Sequence, residues 1–132
     1  MESLEKHVRE LSGIIEQEFE RYTNIFELVK LQQKVLVNAD MAGLEANIHE
    51  QHSIVRAINK LENKRIQKLE VIGIYLGIVP AQLKLSSIIE AASDDMSATL
   101  RRVERRFKSL IQEIFNITKS NKYLVDRSLL FL

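Results

Sequence analysis

The sequence predicts an all-α protein, an elongated antiparallel bundle of three long helices with a short connector helix between the second and third. Three observations carry this. Apolar residues recur in steps of three and four along three long segments, the spacing that lines one face of a helix. One proline and four glycines in 132 residues leave little turn material, so the elements must be few and long. An apolar content of 45% beside 28% charged residues is that of a folded globular chain, and the length suits a single domain spanning 1–132.

The first helix is expected over about 2–37. Leu4, Val8, Leu11, Ile15, Tyr22, Phe26, Val29 and Leu36 form its stripe, Phe19 and Ile25 fill beside it, and Glu5, Arg9, Glu16, Glu20, Glu27 and Lys34 lie between. Such a stripe resembles the a and d positions of a heptad repeat. Asn38-Ala39-Asp40 interrupts it. Asp40 suits the N-cap of a second helix, over about 41–78, and so short a connection makes the two helices antiparallel. The second stripe follows Met41, Leu44, Ile48, His52, Val55, Ile58, Leu61, Arg65 or Ile66, Leu69, Ile72 and Leu76. Gly73, Gly77 and Val79-Pro80 end it, because the residue before proline is pushed out of helical conformation.

Residues 80–92 read as a connector containing a short helix, about 86–92, whose apolar residues cover the end of the second helix. Ser93 with Asp94 and Asp95 gives the cap and acidic first turn of a third helix, about 94–131. Its stripe is the most regular: Met96, Leu100, Val103, Phe107, Leu110, Ile114, Ile117, Asn121, Leu124, Ser128 and Phe131. At 1.5 Å per residue each long helix would measure roughly 50–55 Å. Two helices cannot shield stripes of that length well; three can.

The end of the third segment is apolar on nearly every face, through Tyr123, Leu124, Val125, Leu129, Leu130, Phe131 and Leu132. A helix hydrophobic all round must bury itself. No later residue in the sequence can cover it, which leaves a free corner of its own bundle, a second copy, or a different partner. Asn121 and Ser128 occupy seam positions there. A seam asparagine fixes register or oligomer state, or else contacts a partner's backbone where the bundle opens.

Composition and charge narrow the function. A net charge of +1 argues against bulk binding to nucleic acid or anionic lipid. The longest apolar stretch, 71–79, falls far short of the ~20 residues of a membrane span. The N-terminus, Met1-Glu2-Ser3-Leu4-Glu5-Lys6, has no secretory character, so a cytoplasmic location is expected. The absence of cysteine excludes disulfides, thiolate metal sites and cysteine nucleophiles, and fits a reducing compartment. Glu45, His49 and His52 share one helix face, but their spacing is not that of the His-Glu-x-x-His zinc motif, so His52 is expected at the seam edge and His49 in solvent. No phosphate-binding glycine loop, nucleophile triad or paired carboxylate is present; neither an enzyme nor a cofactor or metal is expected. Arg101, Arg102, Arg105, Arg106 and Lys108 form the one strong charge cluster, read as a solvated face pairing with acidic residues of the first helix or as a contact for an acidic partner.

Three stretches resemble the flagellar export chaperones of the FlgN type. Residues 31–45, LQQKVLVNADMAGLE, look like that family's first helix-turn-helix. Leu61-Glu62-Asn63-Lys64-Arg65 is similar to its Leu-Glu-x-x-Arg segment. Residues 120–129, SNKYLVDRSL, are close to its Asn-x-x-Asn-x-x-Leu-Leu ending, with Thr118 standing where the first asparagine would be. The connector, Leu76-Gly77 with Pro80 and then Leu85-Ser86-Ser87-Ile88-Ile89, looks like a common family variant. The resemblance implies a non-enzymatic cytoplasmic chaperone of flagellar type III export. It would bind the terminal helices of hook-associated proteins, prevent premature assembly and deliver them to export apparatus components. Client contacts would fall on Leu124, Val125, Ser128, Leu129 and Phe131, with Asn121 as a polar register contact, since an amphipathic client helix needs anchors at helical spacing. A homodimer of the free chaperone is compatible with this expectation. The competing reading is a structural coiled-coil protein that self-associates through its apolar end; a regulatory four-helix sensor ranks below both.

Overall fold

The computed structural model describes residues 3–117 and residue 131. Helix α1, Leu4–Val37, begins at Ser3, whose hydroxyl accepts the Lys6 N–H at 3.3 Å. Helix α2, Met41–Leu76, begins at Asp40, whose carboxylate accepts the Gly43 N–H at 2.9 Å, the cap the sequence predicts. The reversal between them is closed by the Asp40 N–H bonding the Val35 carbonyl at 2.9 Å, with Ala39 at a positive φ of 53°.

Two residues before the expected boundary, α2 stops at Leu76. Gly77 takes φ 69°, and the Ile78 N–H bonds back to the Gly73 carbonyl at 3.0 Å. The chain folds so closely over this last turn that a Cβ on Gly73 would lie 2.6 Å from the Ile78 carbonyl oxygen. A 3-10 turn, Pro80–Gln82, leads to α3, Leu85–Ala91. Leu83, Leu85, Ile88 and Ile89 are all buried, joining Ile72 of α2 in one core, so the connector covers this end of the bundle as expected.

Helix α4 is described over Asp94–Ile117. The Ser93 hydroxyl accepts the Met96 N–H at 3.4 Å and donates to the Glu5 carboxylate at 2.6 Å, tying the start of α4 to the start of α1. The two helices therefore run side by side in the same direction. Farther along, Phe107 meets Phe19 and Tyr22 with ring centroids 5.8 and 5.2 Å apart. Helix α1 is the shared element: α2 packs along it in the antiparallel sense and α4 in the parallel sense, while α2 and α4 show little close backbone approach among the described residues. Among these residues the arrangement is two seams on one helix, not three equal ones.

The face that α2 turns inward differs from the expected stripe. Its inner positions are Leu44, Asn47, Gln51, Ile54, Ile58, Leu61, Arg65, Leu69 and Ile72, whereas Met41, Ile48 and His52, expected in the seam, are exposed. Between Arg65 and Ile66, Arg65 is the buried one. Specific partners account for this choice. Asn47 Nδ2 donates to the Leu28 carbonyl oxygen at 2.8 Å, using the lone pair left over by the helix. Gln51 Nε2 donates to Gln32 Oε1 at 2.9 Å and to Asn47 Oδ1 at 2.6 Å. Arg65 Nη1 donates to Glu18 Oε2 at 2.6 Å with both side chains buried. Lys68 pairs with Glu10 and lies 3.1 Å from His7 Nδ1.

Phe131 is buried, with the Arg65 guanidinium 4.3 Å from its ring centroid. Phe131 thus lies against Arg65, the partner of Glu18. The part of the expected third helix that falls on residues 118–130 lies outside the described residues.

Removing one member of the buried pair strands the other. Arg65→Met alone is expected to cost about 3–5 kcal/mol in urea denaturation, whereas Glu18→Leu with Arg65→Met is expected to lie near wild type or above it. At the exposed pair, the Lys68 hydrogen bond, reinforced by the charges of Lys68 and Lys6, holds the Glu10 carboxyl below its ordinary value of 4.5. A carboxyl depressed by folding stabilises above its unfolded pKa, and that contribution is lost as pH falls through the folded value. Carboxyl titration by NMR should therefore place Glu10 below its ordinary value in the wild type and return it upward in Lys68→Met.

Candidate functional site

Turning Asn47 and Arg65 inward leaves Ile48 and Ile66 outside. Met41, Ile48 and Ile66 are 70%, 38% and 42% exposed, and Val55, on the same side, is half-buried and packs against the core. Spacings of seven, seven and eleven residues place these four on one flank of α2, beside the inner face rather than opposite it. Leu31, Leu36 and Val37 of α1 are also exposed. Singly exposed aliphatic residues need no explanation, but a set aligned along a helix is a candidate surface for another protein.

Of the site residues predicted from sequence, Asn121, Leu124, Val125, Ser128 and Leu129 lie outside the described residues. Phe131 is described, and it contacts Arg65 of its own chain. Sequence reading placed Met41 and Ile48 in the core and so missed the flank. The available signal was Asn47 and Gln51, one turn apart on the ladder Leu44-Asn47-Gln51-Ile54-Ile58, which steps by three and four as regularly as the apolar alternative.

The remaining polar candidates are dispersed. His49 and His52 are both exposed, and no group of three or more potential ligands is assembled among the described residues. His7 is buried at the other end of the bundle, 5.6 Å from the Tyr75 ring and beside Lys68. Arg106 stacks over Phe19 at 4.9 Å, while Arg101, Arg102, Arg105 and Lys108 stand in solvent. The expected pairing of this cluster with acidic residues of α1 is absent among the described residues. No described helix is long and apolar enough to cross a membrane.

An apolar flank beside the core of a helical bundle is a surface on which another helix can lie, the geometry of a helix-binding protein. The family model described as FlgN protein matches residues 1–132, and the chain belongs to the FlgN family of flagellar export chaperones, which is not an enzyme family. No curated protein and no solved structure matches the chain.

Because the flank is solvated, it should contribute little to folding. Met41→Ser with Ile48→Ser is expected to stay within about 0.5 kcal/mol per site of wild type in chemical denaturation. Ile58→Ala, one turn beyond Val55 on the inner face, should cost about 2–5 kcal/mol.

Proposed function

We propose that this chaperone binds the terminal helices of flagellar hook-associated proteins, those of the hook–filament junction. It holds them in the cytoplasm against premature assembly and delivers them to the flagellar type III export apparatus. The observation that carries this reading is the apolar flank of Met41, Ile48 and Ile66, left open by a helix that buries polar residues in its place. An amphipathic client helix would lay its own i, i+3, i+4, i+7 anchors on such a surface. Membership of the FlgN family supplies the flagellar context.

Leu124, Val125, Ser128 and Leu129 are the proposed client contacts in the C-terminal segment, with Asn121 setting the client's register. Phe131 belongs to the same set, and its contact with Arg65 gives that segment an anchor on the bundle while its other apolar residues engage the client. The export apparatus is a second partner and requires a surface that stays accessible while the client is held.

Calorimetric titration with a C-terminal helical peptide of a hook-associated protein tests the proposal. Saturable binding with a negative heat-capacity change is expected, as apolar burial requires. It should be lost in Leu124→Ser/Leu129→Ser and weakened in Met41→Ser/Ile48→Ser while the helical signal survives. A well-folded chain that ignores the peptide at tens of micromolar, and that dimerises through the same residues, would make it a self-associating coiled-coil protein instead.

A further inference from the structure

Helix α4 carries a charge pattern that neither the core nor the client surface uses. Between 101 and 108 it presents five cations against one carboxylate, Glu104. Arg106 is occupied by Phe19, but Arg101, Arg102, Arg105 and Lys108 have no ion-pair, hydrogen-bond or ring partner among the described residues. Like charges packed this closely repel and destabilise the free helix by small increments. Glu104 is the one carboxylate within this stretch, and no ion pair among the described residues offsets the cations.

The arginines also border a concavity. Arg101, Arg102 and Arg105 line one part of a groove of about 650 Å³ between α3 and α4, whose floor includes Ile89, Ala92 and Ala98. Glu90 and Asp94 line its opposite end. From Asp94 to Arg105 the groove follows α4 for about 16 Å, close to three helical turns. It is thus polarised along its length, anionic at the start of α4 and cationic at its middle, with small apolar residues between.

We propose that this groove docks a short amphipathic helix of a protein partner. That helix would place acidic residues one turn apart against Arg101 and Arg105, a small apolar residue over Ala98, and a basic end beside Glu90 and Asp94. Charge complementarity selects the occupant. A nucleic-acid backbone or an anionic lipid surface would meet the two carboxylates at unfavourable cost, and neither would use the apolar floor. The surface lies on α3 and α4 and shares no residue with the apolar flank of α2. The inference does not depend on the identity of the client.

The probe is a fluorescein-labelled synthetic helix of about 14 residues, with glutamates at i, i+4 and i+7 and alanine between. Its counterpart carries lysine for glutamate. Anisotropy titration of the full chain at about 50 mM salt should show binding of the acidic peptide alone. Arg101→Glu/Arg105→Glu should weaken that binding by about tenfold or more, and Arg101→Gln/Arg105→Gln by less. Both variants should keep the wild-type helical signal and their affinity for the hook-associated peptide, which separates this test from that of the proposed client. Equal binding of both peptides, or undiminished binding by the charge-reversed variant, would overturn the proposal. So would arginine-dependent binding to phosphatidylglycerol vesicles without peptide binding, which would assign the face to a membrane surface. Sedimentation showing a wild-type dimer that the variant loses would assign it to a second copy of the chain.

Discussion

The fold depends on the polar contacts inside the α1–α2 seam. Two helices of 34 and 36 residues with regular apolar stripes could slide past one another by a heptad and still bury comparable area. Glu18 and Arg65 remove that freedom. Both are buried, and any slip would part them and leave a charge in the core, a far larger penalty than a mismatched pair of leucines. Asn47 against the Leu28 carbonyl and Gln51 against Gln32 repeat the constraint nearer the reversal, and Lys68 with Glu10 repeats it nearer the ends. Apolar burial drives the association; these pairs choose one register from several.

The same choice creates the external surface. A helix has one circumference, so each inward position given to Asn47 or Arg65 moves an isoleucine to the flank. The exposed apolar flank is therefore coupled to internal register, not an accident of loose packing. With α1 serving both neighbours and little close backbone approach between α2 and α4, the described residues form an asymmetric bundle. One side carries aliphatic residues on α2, and another carries arginines on α4 that make no ion pair among the described residues.

Most of the fold was legible because its signals are local. The caps at Asp40 and Ser93, the stop at Gly77 and Pro80, and the buried connector follow from residue chemistry within a few positions. The inner face of α2 was misread because the rule that apolar residues go inside fails where a polar side chain finds a partner about twenty residues away, or forty-seven in the case of Glu18 and Arg65. Nothing near Asn47 announces the Leu28 carbonyl. The arginine cluster was visible at once, but the groove beside it, and the absence of ion pairs to it among the described residues, were not.

The hydrogen bond between Ser93 and Glu5 joins residues 88 positions apart, whereas the α1–α2 pairing begins at a reversal of three residues. Closing the longer loop carries the larger entropic cost, and it is offset only once most of the chain exists. On a ribosome the hairpin can zip from its reversal while α4 is still unmade. During that interval the side of α1 that receives Phe107 and Leu100 faces solvent. The order of synthesis thus gives the nascent protein a second apolar helix face, present only until residues 94–117 emerge to cover it.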